Sequence, residues 1–219
     1  MRAHLRAIRT LTRGVTQGLP VLEAAEDPYD LFNDWFRDAK ASGLLLPESM
    51  ALATATDEGR TSVRMVLLKG VGPDGFRFFT NYGSRKAAEL DDNPHASLCF
   101  HWSVLERQVR VEGRVERLST EDSAAYFATR DRGSQIGAWA SAQSCPITDR
   151  AGLEAQVAEA EARFEGRDVP VPDFWGGYVL VPDRIEFWQG RANRLHDRLE
   201  YTPSHAPHDR SWKITRLQP

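Results

Sequence analysis

Cysteine is scarce in this 219-residue sequence. Cys99 and Cys145 stand far apart, without metal or redox spacing. They read as ordinary reduced thiols, which argues against a disulfide scaffold and for a cytoplasmic protein. No apolar run approaches the ~20 residues of a membrane-spanning helix. The formal charge is only −3 and no basic stripe appears, so nothing marks a nucleic-acid partner. The six histidines lack paired ligand spacing, so no metal site is expected. Repeats, low-complexity segments and a Walker loop are all missing. The Arg-rich start, residues 1–26, lacks the apolar core of a secretion signal and reads as a mobile arm. The rest is long enough for one large domain or two small ones.

What is present centres on Arg64 to Lys86, RMVLLKGVGPDGFRFFTNYGSRK. Arg64 and Lys69 bracket Met65, Val66, Leu67 and Leu68, which predicts a largely buried strand. Pro73-Asp74-Gly75 is a turn signal, and Phe76 to Asn81 returns as a second strand. Ser84 is a candidate N-cap, with Arg85 and Lys86 in the first helical turn. Cations repel the positive end of a helix unless an anion sits before them. The stretch is therefore either a surface helix with two solvated cations or a phosphate cradle. Arg64 favours the cradle, because a cation in an apolar strand needs a partner. Arg64 and Lys69 differ by an odd number, so an ideal strand sends them to opposite faces.

Elsewhere the patterning predicts a helix from Asp27-Pro28 to Gly43 with Leu31, Phe32, Trp35, Phe36 and Ala39 on one face. Strands are expected at 50–56, 61–69, 95–102 and 107–118. Ser119 with Asp122 resembles a capping box for a helix reaching Arg130. A break at Gly133 and a short helical segment after Gly137 follow, then a clear helix over 149–164. The tail reads as strands at 178–181, 185–189, 195–201 and 212–217, with Pro182-Asp183 as a turn. Antiparallel strands with a few helices suggest a mainly β, α+β domain or a barrel.

Two catalytic-looking motifs fail on context. Gly70-Val71-Gly72-Pro73-Asp74-Gly75 fits GxGxxG, yet a strand follows it, so it is a hairpin turn. In Gly133-Ser134-Gln135-Ile136-Gly137 the serine stands one place early for a nucleophile elbow. Two constellations remain. Tyr126 and Arg130 are four apart on one helical face with Ser134 just beyond, either a second oxyanion kit or a tyrosine packed on an arginine stem. On a strand, Arg194, His196 and Arg198 would share one face, near Trp188, which is either core or a platform for a planar ligand.

Together RMVLLK, FFTNYGSRK, ERQVRVEG, YFATRDRGSQIGAW, QS, FWGGY, IEFWQG, NRLHDR and the terminal RLQP resemble the pyridoxine (pyridoxamine) 5′-phosphate oxidases. The match runs from Asp27 to Pro219 in the family's order. It implies a homodimer with a single split β-barrel domain over 27–219, flanking helices, and FMN held between subunits. Carried over by motif, the flavin phosphate would lie on Arg64, Thr80, Arg85 and Lys86. Met65 to Lys69 and Phe79 would line the cofactor, and Gln108, Gln143, Ser144, Trp188 and Arg198 would touch it elsewhere. The substrate phosphate would sit on Lys69, Tyr126, Arg130 and Ser134, with Arg194 and His196 over the pyridine ring. Two phosphate esters would then explain why Arg64 and Lys69 face apart.

The implied chemistry is hydride transfer from C4′ of pyridoxine or pyridoxamine 5′-phosphate to flavin N5. Dioxygen then accepts the electrons, giving hydrogen peroxide and pyridoxal 5′-phosphate. Arg198 would stabilise charge near N1 and C2. The arm departs from the family: an Arg-x-x-Tyr segment is replaced by Leu11-Thr12-Arg13-Gly14 before Gln17-Gly18-Leu19, leaving Arg9 or Arg13 as substitutes and predicting a weaker lid. Two alternatives are a phenazine-biosynthesis-type flavin oxidase and a non-catalytic flavin or pyridoxal-phosphate carrier.

Overall fold

The computed structural model describes residues 27–204 and 211–219. The N-terminal arm, with Arg9, Arg13 and the Gln17-Gly18-Leu19 segment, lies outside the described residues. In chain order the elements begin α1 (Pro28–Ala41), β1 (Ser49–Ala55), β2 (Thr61–Leu67), β3 (Gly70–Gly72), β4 (Gly75–Asn81), α2 (Arg85–Asp92), β5 (His95–Trp102) and β6 (Arg107–Arg117). They continue with α3 (Thr120–Ala128), α4 (Arg132–Ala140), α5 (Arg150–Arg163), β7 (Trp175–Gln189), β8 (Asp197–Pro203) and β9 (Trp212–Leu217).

Two compact units divide the chain. One comprises Glu48–Leu98 and Glu112–Asp183; the other holds residues 27–47, 99–111, 184–204 and 211–219. The hydrogen-bonded strand order is β2-β1-β5-β6-β7-β4-β3, of which the first unit holds β1 to β4 whole and parts of β5, β6 and β7. Its β1–β2 hairpin sets Leu52 opposite Arg64 and Ala55 opposite Thr61. The GxGxxG stretch is the β3–β4 hairpin, with Gly72 paired to Gly75 around Pro73-Asp74. Gly75 has φ +125°, and a Cβ there would lie 2.1 Å from the Leu180 carbonyl oxygen, so neither the backbone nor the space admits a side chain. Helices α3, α4 and α5 bury Phe127, Ile136, Ala160 and Phe164 in one cluster with Trp175.

The second unit is organised by α1. Asp27 caps it, its carboxylate accepting from Tyr29 N at 2.7 Å, and Pro28 occupies the first helical position. Phe32 packs 5.0 Å from Phe100, and Trp35 meets Phe187 edge-on at 5.3 Å. The end of β7 pairs with β8 and β8 with β9, which sets Trp188 opposite Arg198.

Several expectations are corrected. The strand holding Arg64 is not largely buried: its faces alternate, leaving Val63 68%, Met65 63% and Leu67 36% exposed. Val63, Met65 and Leu67 share the face of β2 that the described residues leave exposed. The helix after Ser119 stops at Ala128, placing Arg130 beyond it, while Gly133 is not a break but lies inside α4, which Asp131 caps. Pro182-Asp183 is not a turn; β7 runs through it unbroken for 15 residues. There β6 passes so close that a Cβ on Gly113 would fall 2.1 Å from the Val181 oxygen. Finally, Arg194 and His196 lie outside β8, so with Arg198 they do not share a strand face. The residues before β8 form a 3₁₀ turn, Ala192–Arg194, in which Asn193 (φ 58°) and Arg194 (φ 62°) are both left-handed.

Candidate active site

In the first unit a cavity of about 320 Å³ gathers much of what the sequence singled out. Met65, Val66 and Leu67 of β2 line it with Lys69, which follows the strand's end. Phe79 and Thr80 enter from β4, Lys86 from α2, Tyr126 from α3, and Arg130 and Gln143 from loops. Three of these side chains are cations, and no carboxylate among the described residues lines the cavity. Such a lining suits an anionic ligand.

Lys86 is buried and its ammonium is fully engaged. It donates to Thr80 Oγ1 (2.9 Å), Ser84 Oγ (3.1 Å) and Gln143 Oε1 (2.7 Å). Ser84 thus caps no backbone N–H of α2; its hydroxyl accepts from the lysine instead. Burial first, then the nearby Arg64 charge, lowers the Lys86 pKa to about 8. The backbone N–H of Arg85 donates to Ser144 Oγ at 3.2 Å, tying the Gln143-Ser144 loop to the helix start. Arg64 and Arg85 do not line the cavity; both pair with Glu89, at 3.0 and 2.8 Å.

Arg130 is held differently. Its guanidinium lies 4.8 Å from the Trp175 ring, and burial lowers its pKa. Its Nη1 is buried with no hydrogen-bond partner among the described residues. A buried donor left unmatched is costly, and an incoming anion would satisfy it. Tyr126 stacks on Phe79 with ring centres 3.9 Å apart, and both rings run nearly parallel to Trp175. The stack fixes the phenol beside the cations. Ser134 does not join them: its hydroxyl donates to Asp131 at 2.6 Å.

The other expected residues belong to the second unit. The His196 ring centre lies 4.5 Å from that of Trp188. Its Nδ1 accepts from the Arg191 backbone N–H at 3.2 Å, so the neutral ring carries its proton on Nε2. Arg198 makes two bonds of 2.9 Å to Glu186 and one of 2.8 Å to the Gln218 carbonyl. Glu186 is 3% exposed and also accepts from Arg110 at 2.6 Å. Gln108 is half-buried on β6. Sequence reasoning missed Glu89 and Glu186. The signal for Glu89 was its position four residues after Arg85; for Glu186 it was a lone acid between Ile185 and Phe187.

Comparison with known proteins gives this geometry its context. Residues 36–164 match the family described as pyridoxamine 5′-phosphate oxidase, and residues 175–219 match the pyridoxine 5′-phosphate oxidase C-terminal dimerisation region. The chain belongs to the pyridoxamine 5′-phosphate oxidase family. A pyridoxine/pyridoxamine 5′-phosphate oxidase of Psychromonas ingrahamii is 52% identical over 99% of this chain and 98% of that protein. One of Rubrobacter xylanophilus is 55% identical over 98% and 97%. Among solved structures, PhzG from Burkholderia lata, in complex with tetrahydrophenazine-1-carboxylic acid, matches with TM-score 0.86 and 31% identity, covering 94% of this chain and all of that one. The fold is accordingly the α+β, mainly β split barrel of this family. No helix among the described residues is long and apolar enough to cross a membrane.

Proposed function

We propose that this family member is an FMN-dependent oxidase that converts pyridoxine and pyridoxamine 5′-phosphates to pyridoxal 5′-phosphate. The observation that carries the reading is the unmatched, buried Nη1 of Arg130 in a cavity shared with Lys69 and Tyr126. Lys69, Tyr126 and Arg130 would hold the substrate phosphate, with Ser134 joining them by releasing Asp131. Thr80, Arg85, Lys86 and Gln143, backed by Arg64 and Ser144, would hold the phosphate of FMN. When bound, FMN supplies the acceptor for hydride from C4′ and passes the electrons to dioxygen.

The chain's own residues position and shield. Met65 to Leu67 and the Phe79–Tyr126 stack would present an apolar wall to the reacting face. His196, its proton fixed on Nε2, is a hydrogen-bond donor to the pyridine substituents rather than a base at that atom. Arg194 is held left-handed, a strained backbone of the kind that collects at functional sites, and would orient the same ring. Arg198, aimed by Glu186, would balance charge beside the flavin ring, with Trp188 and Gln108 as further contacts. A homodimer is supported by the match to a dimerisation region and by the exposed apolar stripe of Val63, Met65 and Leu67.

The likeness to PhzG favours a second reading, a sibling oxidase acting on a phosphate-free planar substrate. Lys69, Tyr126 and Arg130 weigh against it: Lys86 would serve the FMN phosphate in either oxidase, but a substrate without a phosphate leaves the rest of this kit without a dianion to hold. Aerobic turnover decides. Pyridoxine 5′-phosphate should yield equal amounts of pyridoxal 5′-phosphate and hydrogen peroxide, while unphosphorylated pyridoxine should be a poor substrate. Equal rates with and without the phosphate would contradict the assignment of Arg130.

A further inference from the structure

Glu89 makes no expected contact with cofactor or substrate, yet four donors converge on it. Its side chain is 5% exposed. Oε1 accepts from Arg85 Nε at 2.8 Å. Oε2 accepts from Arg64 Nη2 at 3.0 Å, from Ser62 Oγ at 2.6 Å and from the Thr54 hydroxyl. Arg64 is pinned at its other end too, where Nη1 donates to Thr54 Oγ1 at 2.6 Å and to the Leu52 carbonyl at 3.1 Å. Arg85 differs: only its Nε is taken, and its 66% exposed side chain keeps Nη1 and Nη2 unbonded among the described residues. Burial alone would raise the Glu89 pKa, but the Ser62, Thr54, Arg85 and Arg64 donors outweigh it and hold the carboxyl at about 2. The carboxylate therefore stays charged across the working range. The second unit repeats the device, with buried Glu186 gripping Arg198 and Arg110.

We propose that Glu89 is a positioning residue for the cofactor phosphate: it locks Arg64 in place and aims the free Nη1 and Nη2 of Arg85. Arg64, Arg85 and Lys86 less this one carboxylate leave two positive charges, the complement of a phosphate monoester dianion. The proposal rests on reading this cradle as the FMN phosphate site.

Equilibrium titration of the apoprotein with FMN and with riboflavin, which lacks the phosphate, tests both layers. Wild-type protein should prefer FMN; equal affinities would overturn the phosphate reading and the proposal with it. Given that preference, Glu89→Gln should weaken FMN about 10- to 100-fold, the scale of losing a hydrogen bond to a charged group. Riboflavin should stay within about twofold. Equal loss of both ligands would make Glu89 merely structural, and FMN binding as tight as wild type or tighter would make it only an opposing charge; either result overturns the proposal. In an Arg85→Ala background the effect of Glu89→Gln should shrink, and full additivity would contradict action through Arg85. Should Glu89→Gln not fold, Glu89→Asp, which keeps the charge but shortens the reach, enters the same comparison with the same expected direction.

Discussion

The lowered pKa of Lys86 makes cofactor affinity a function of pH, and the sign follows from the geometry. In the free protein, burial and then Arg64 bring this ammonium to about 8. A phosphate dianion beside it favours the charged form and raises that value again, so binding takes up a proton wherever the free lysine has lost one. At pH 7 a group titrating near 8 is roughly nine-tenths charged, and at pH 9 roughly one-tenth. The Kd for FMN should therefore rise about tenfold between pH 7 and 9, approaching tenfold per unit above that. The phosphate is a dianion throughout, since its second pKa is near 6. Fluorescence titration of the apoprotein across this range measures the slope. Lys86→Met should bind FMN more weakly at pH 7 and lose the pH dependence. A flat wild-type profile, or the same slope in Lys86→Met, would refute the reasoning.

Three further outcomes are expected. Arg130→Ala removes the unmatched donor from the substrate cavity; hydrogen bonds to charged groups contribute ~1.5–3 kcal/mol, so KM for pyridoxine 5′-phosphate should rise roughly 10- to 150-fold while kcat changes far less. Steady-state kinetics check this, and an unchanged KM would place the phosphate elsewhere. Arg194→Ala should cut kcat/KM strongly while the protein keeps its FMN spectrum; loss of FMN would show instead that Arg194 serves the cofactor. Gly113→Ala drives a Cβ to 2.1 Å from the Val181 oxygen, and should lower stability by more than about 2 kcal/mol in denaturant titration. A variant as stable as the parent would mean that β6 and β7 separate there without cost.

Local chemistry made much of this chain legible in advance. The Asp27-Pro28 start of α1 and the β3–β4 hairpin follow from side chains acting on their own backbone. The errors arose where tertiary contacts override local signals. Pro182-Asp183 reads as a turn until Gly113 of β6 is seen packed against that stretch. Gly133 reads as a breaker until Asp131 supplies the cap that starts α4 ahead of it. Apolar Val63, Met65 and Leu67 imply burial on both faces, but in β2 they share one face that the described residues leave exposed. The cations of the candidate site stood out because apolar strands and helix starts disfavour them. Their counterparts Glu89 and Glu186 did not, since an acid in a helix or alternating strand looks like solvated surface until the fold turns it inward. The alternation of Arg194, His196 and Arg198 carries no strand at its start, because the chain uses the residues before Asp197 to reverse between β7 and β8.

The most direct test of the central claim is an anaerobic titration of the FMN-loaded protein with pyridoxine 5′-phosphate, followed by flavin absorbance. The account predicts bleaching in proportion to substrate added, colour returning on admission of air, and one pyridoxal 5′-phosphate formed per flavin reduced. A yellow protein that does not bleach with this substrate would contradict it.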